Sequence, residues 1–156
     1  MPNRGRSRPR RALVVVSRFN EIVTRRLLDG AAAELRSAGF ADGAMDVVWV
    51  PGAFELPLVL DRGLRTGRYR LAVALGAVVR GETPHFEYLC TEVTRGLGDA
   101  ALRHATPVGF GLLTCDTLDQ ALARAGGDAG NKGAEAAEAA LVSLGALARL
   151  EGDAPA

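Results

Sequence analysis

Lysine is nearly missing from this chain. It occurs once in 156 residues, at Lys132, against 18 arginines. Cysteine occurs twice, at Cys90 and Cys115, too few for a disulfide framework, and nothing marks secretion. Aromatic residues make up 5% of the chain, leaving few rings to stack on nucleic-acid bases. No apolar run approaches the ~18 residues needed to cross a bilayer. The arginine-rich start lacks the apolar stretch of a signal peptide, so the expected location is cytoplasmic and no membrane partner is expected. Two histidines and two cysteines lie far apart, without metal-ligand spacing. A P-loop and a nucleophile elbow are absent. Gly109-Phe110-Gly111 lacks the third glycine of a dinucleotide fingerprint and lies inside an apolar run rather than after one. These gaps exclude membrane-spanning, collagen-like, disulfide-scaffold and wholly disordered classes, and they argue against metal catalysis.

The length, with 48% hydrophobic and 24% charged residues, suits one globular domain over residues 12–156. Such a domain needs no disulfide or metal to hold its core. Residues 1–11 hold five arginines and no acid, which reads as a basic flexible arm. The remaining 14 basic residues face 18 acidic ones, a net of −4. The body therefore offers no basic face, and no nucleic-acid partner is expected. The arm is read as a solvated tail or as a segment lying along a neighbouring subunit. The single Lys132 is a weak hint of a site that favours a compact ammonium over a planar guanidinium.

The apolar pattern alternates between two periods. Residues 12–16 (ALVVV), 45–50 (MDVVWV), 71–79 (LAVALGAVV) and 107–114 (PVGFGLLT) are short, nearly continuous apolar runs and read as buried strands. Between them, helical stripes run from Glu21 to a stop at Gly39, from Phe54 to Thr66, and from about His85 to His104. A short helix over 118–125, a glycine-rich break over 126–133 and an alanine-rich helix over 134–150 close the chain. Strand–helix alternation of this kind predicts an α/β, flavodoxin-like three-layer α/β/α sandwich. Its four-stranded parallel sheet has the order 2-1-3-4. In such sheets the site lies beyond the carboxyl ends of the strands. Of the four loops there, residues 17–20, 51–55 and 80–85 carry the polar and aromatic residues of interest.

His85 follows Arg80-Gly81-Glu82-Thr83-Pro84 at a strand-to-helix junction. Free N–H groups after a glycine at a helix start form an anion site, Thr83 adds a hydroxyl, and Pro84 presets the first turn. His85 then stands beside the anion as a proton carrier. The plainer reading makes Thr83 a helix cap and His85 a surface residue. Arg124 precedes the glycine-rich break. It reads either as a helix C-terminal cation or, with Lys132, as a phosphate clamp. Phe19 reads as a stacking platform or a hydrophobic staple, and Glu55 as a hydroxyl acceptor or a helix-start carboxylate. Cys90 reads as a small core residue.

Four stretches together resemble the lumazine synthases of the riboflavin pathway: Arg18-Phe19-Asn20, residues 51–57 (PGAFELP), residues 76–86 (GAVVRGETPHF), and Arg124-Ala125-Gly126 followed by Gly130-Asn131-Lys132-Gly133. The resemblance covers about residues 12–150. It implies condensation of 5-amino-6-(D-ribitylamino)uracil with 3,4-dihydroxy-2-butanone 4-phosphate to give 6,7-dimethyl-8-ribityllumazine, phosphate and water, with no cofactor and no metal. It also implies that Phe19 stacks on the pyrimidine with Asn20 nearby, and that Ala53, Phe54 and Glu55 line the pocket. Glu55 would accept bonds from ribityl hydroxyls, and Ala77, Val78 and Val79 would bond the ring through their backbone. Gly81, Glu82 and Thr83 would hold the phosphate, Glu82 through its N–H alone with its side chain in solvent. His85 would shuttle protons. Phe110, Arg124 and Lys132 would serve the adjacent subunit's site, with Arg124 on the phosphate. A shared site implies a homo-oligomer: a pentamer, with the short 126–133 turn resembling members that close twelve pentamers into an icosahedral shell. The rival readings are a catalytically silent flavin or lumazine binder, a shell-forming protein with a vestigial pocket, and a basic-arm nucleic-acid module.

Overall fold

The computed structural model describes residues 11–152. Four strands, β1 (Arg11–Ser17), β2 (Met45–Val50), β3 (Tyr69–Val79) and β4 (Val108–Cys115), form one sheet in the order β2-β1-β3-β4. Every pairing is parallel. Five helices connect and close the chain: α1 (Glu21–Ser37), α2 (Leu56–Arg65), α3 (His85–His104), α4 (Leu118–Ala123) and α5 (Lys132–Leu150). Side chains alternate across the strands, so each central strand feeds two cores. Val14, Val16, Leu71, Val73 and Leu75 pack with Leu27 and Leu35 of α1 and Ala137 and Ala140 of α5. Leu13, Val15, Ala72 and Ala74 pack on the other face with Leu56, Leu60, Val93 and Leu97 of α2 and α3. Fully burying each such leucine or valine is worth about 1.5–3 kcal/mol. The three-layer sandwich and its 2-1-3-4 order are those expected from the periodicity.

Three local features depart from the expected pattern. The helix read from Phe54 opens as a 3-10 turn, Ala53–Glu55, before α2 proper, because Pro57 sits in the first turn and the Gly52 N–H donates to Glu55 Oε2 at 3.1 Å. The glycine-rich break is not a plain turn. It forms a small antiparallel hairpin, β5 (Ala125–Gly127) with β6 (Gly130–Asn131), and Asn131 then caps α5 by accepting the N–H groups of Gly133 and Ala134. Strand β2 is an edge: Val47 and Val48 are exposed although their sequence reads as buried. Arg11 opens β1, where its guanidinium pairs with Asp46 and donates to the Gly43 carbonyl at 3.0 Å. The rest of the expected basic arm lies outside the described residues.

Candidate active site

The carboxyl ends of β1, β2 and β3 meet around a cleft of about 570 Å³. Its first wall is the loop after β1. Backbone bonds from Arg18 N–H to the Val50 carbonyl (2.8 Å) and from Phe19 N–H to the Pro51 carbonyl (3.0 Å) tie this loop to the end of β2. Asn20 takes the left-handed conformation, which asparagine tolerates better than most residues, and its Nδ2 donates to the Ala77 carbonyl at 2.9 Å. Three loops are thus locked to one another before any ligand arrives. Phe19 (69% exposed) and Phe54 (65%) leave their rings open at the cleft, an unfavourable exposure unless something covers them. Glu55 keeps one carboxylate oxygen on Gly52 and has the other available.

The floor is the end of β3, where Ala77, Val78 and Val79 line the cleft. The chain then turns through Gly81 and Thr83 into α3. No side chain caps this helix, whose cap position is Pro84. Thr83 is therefore not a cap, and its hydroxyl has no partner among the described residues. His85, the first residue of α3, is exposed and likewise unpartnered there, and it lines the cleft. Free N–H groups, a free hydroxyl and a free imidazole thus face one space, at the helix end that favours anions.

Of the residues singled out from sequence, Phe19, Ala53, Phe54, Glu55, Ala77, Val78, Val79, Gly81, Thr83 and His85 line this cleft together. Asn20, Glu82, Phe110, Arg124 and Lys132 do not. Asn20 braces the cleft from behind, and Glu82 is exposed. Arg124 and Lys132 are brought together by the hairpin, where the Lys132 N–H donates to the Arg124 carbonyl at 2.8 Å. The Arg124 guanidinium donates to the Gln120 carbonyl (3.0 Å), and Lys132 Nζ pairs with Glu135 (2.8 Å). Phe110 stands half-exposed on β4 between two glycines, and a Cβ at Gly109 would press into the Ala136 backbone. Among the described residues, no arginine or lysine lines the cleft.

Pro51, Gly52, Phe86 and Leu89 also line it and were not singled out as site residues from sequence. The signal was present for two of them, since Phe86, Leu89 and Val93 repeat at helical spacing on one face of α3. Cys90 packs half-buried beside the α2–α3 core, and desolvation pushes its thiol above the usual range, which disfavours a nucleophilic role. No helix among the described residues is long and apolar enough to cross a membrane.

Fold and cleft together define a flavodoxin-like α/β protein whose site opens at the carboxyl edge of a parallel sheet, with an anion-receptive helix start and a free histidine. A family model for 6,7-dimethyl-8-ribityllumazine synthase matches residues 9–147. Enzymes of that name from Anaeromyxobacter dehalogenans (strain 2CP-C) and Gemmatimonas aurantiaca are 56% and 54% identical over 137 and 139 residues, covering 88% and 89% of this chain and 85% of each relative. One from Desulfovibrio desulfuricans is 47% identical over 137 residues, 88% of both chains. The chain belongs to the 6,7-dimethyl-8-ribityllumazine synthase family, transferases of riboflavin biosynthesis that act on small molecules.

Proposed function

We propose that this protein condenses 5-amino-6-(D-ribitylamino)uracil with 3,4-dihydroxy-2-butanone 4-phosphate, releasing phosphate and water, as a cytoplasmic enzyme. The observation that carries this reading is the convergence of open aromatic rings, strand-end backbone groups, an anion-receptive helix start and an unpartnered His85 on one cleft of about 570 Å³. That space suits two small reactants held side by side. Phe19 stacks on the pyrimidine, and the backbone of Ala77, Val78 and Val79 bonds its edge. The Ala77 carbonyl retains a second lone pair beyond the one Asn20 uses. The free Glu55 oxygen accepts from ribityl hydroxyls, beside Ala53 and Phe54. Gly81 and Glu82 offer N–H groups and Thr83 its hydroxyl to the phosphate.

The amine attacks the ketone carbonyl. His85 moves protons as the carbinolamine loses water to the imine, and again as a proton beside the imine leaves and the carbon–oxygen bond to phosphate breaks. The departing anion needs fixed positive charge. Among the described residues the cleft holds no basic side chain except His85, which favours a cation from another copy. Arg124 and Lys132, with Phe110, lie off their own protomer's cleft and complete a neighbour's site in a homo-oligomer, a pentamer or a shell of twelve pentamers. The test is to mix the purified protein with both substrates and follow lumazine fluorescence and phosphate release together. Equimolar appearance of the two is expected. Phosphate release without lumazine, or neither product, overturns the reading.

A further inference from the structure

Arg80 has no role in the reaction described above, yet its side chain ties together several segments beside the anion loop. Its N–H donates to the Cys115 carbonyl at 2.8 Å, which fixes the point where β3 ends. Its guanidinium reaches three further partners. Nε donates to Asp116 Oδ1 at 2.8 Å, a second N–H donates to the Glu87 carboxylate, and the guanidinium carbon lies 4.4 Å from the centre of the Phe86 ring. Phe86 lines the cleft, and Arg80 does not. Asp116 is held in turn, because its N–H donates to Gln120 Oε1 at 2.9 Å in the loop that opens α4.

The charge around this loop is unfavourable for an anion. Glu82 lies in the loop, Glu87 in the first turn of α3, and Asp116 on the adjoining loop, and among the described residues Arg80 is the cation that pairs with the last two. The Glu87 carboxyl is held below the usual carboxylate range, chiefly by its hydrogen bond from Arg80. Single exposed ion pairs are weak. A planar guanidinium spanning two carboxylates and a ring face fixes three segments with one side chain. Swinging Arg80 onto a phosphate would break two charge-assisted bonds and uncover two negative charges beside the ligand.

We propose that Arg80 is a positioning residue that shields the phosphate site from Glu87 and Asp116 and braces its Phe86 wall, without itself touching the phosphate. This rests on the butanone-phosphate reading given above.

The experiment is steady-state kinetics with both substrates on Arg80→Gln and on Arg80→Gln/Glu87→Gln/Asp116→Asn, with melting curves to verify folding. In the single variant, KM for the phosphate-bearing ketone should rise about tenfold, KM for the pyrimidine amine should stay within about twofold, and kcat should move less than the first KM. Removing both acids should recover most of the loss. If the triple variant stays as impaired as the single one, or the single variant behaves as wild type, the shield is overturned. A wild-type protein inactive on both substrates would instead remove the reaction itself. Should Arg80→Gln not fold, a crystal structure of the wild-type protein with inorganic phosphate decides. Arg80 still on Glu87 and Asp116 upholds the proposal, and an Arg80 nitrogen on the phosphate ends it.

Discussion

His85 and Arg124 differ in what they need from the fold. His85 begins α3 at the cleft without a partner among the described residues, so the proton-carrying role proposed for it needs no support from neighbours. Replacing it with alanine should lower kcat by about 10²–10⁴-fold while moving either KM far less, read by steady-state kinetics. Unchanged turnover would remove His85 from the proton path. Arg124 is held by the Gln120 carbonyl and by the hairpin that also carries Lys132. Losing one charge-assisted bond to phosphate costs about 1.5–3 kcal/mol. Arg124→Ala should therefore raise KM for the butanone phosphate by about 10- to 150-fold and spare KM for the amine. That His85, Thr83 and Phe19 lie together at the strand ends was legible in the sequence, because their loop positions place them there. The brace from Asn20 to the Ala77 carbonyl was not, since it joins residues 57 apart in the chain.

Helices and strands were legible where periodicity was long, as in α1, α3 and the four sheet strands. They were less so where a turn or a packing contact decides. The hairpin over residues 125–131 has too few side chains to show a period. Gly133 reads as the end of the glycine-rich break, yet it lies in the first turn of α5, flush against α1. A Cβ there would lie 2.8 Å from the Leu27 Cα and closer still to the Leu27 carbonyl. Gly133→Ala should destabilise the fold by about 1–3 kcal/mol, seen as a drop of several degrees in Tm, because backbone rather than a mobile side chain must move. At the far end of the sheet, Asp61 of α2 accepts from Arg103 and bonds His104 of α3, both at 2.8 Å. The His104 bond is the main cause that holds the Asp61 carboxyl below its usual range. A depressed carboxyl stabilises the fold above its unfolded value, and that contribution is lost as pH falls through the lower folded value. Asp61→Asn should therefore lower Tm at neutral pH and flatten its decline on the acid side. An acid limb that keeps its slope would place the pH dependence elsewhere.

At the scale of the molecule, no lysine or arginine among the described residues lines the cleft, while Phe19, Phe54 and Phe110 lie open. If neighbouring copies complete each site, inactive variants should rescue one another. His85→Ala and Arg124→Ala proteins, unfolded and reassembled together, should regain activity in about a quarter of their interfaces, since each subunit lends the residue its neighbour lacks. No regain in verified mixed assemblies would confine the site to one protomer. Sedimentation velocity should show a pentamer or a larger closed species and no stable monomer.

The sequence by itself determined the layer order, the cleft at the carboxyl edge of the sheet, and the loops whose polar and aromatic residues line it. Those follow from local periodicity and from loop residues whose chemistry is independent of distant partners. Tertiary structure alone decided that Asn20 and Arg80 brace the cleft rather than enter it. It also decided that β2 is an edge strand with Val47 and Val48 exposed among the described residues, and that Arg124 and Lys132 adjoin each other away from the cleft of their own chain. The braces join residues 57 and 36 positions apart, a separation that leaves no periodic mark along the chain, and the hairpin that joins Arg124 to Lys132 is too short to show a period.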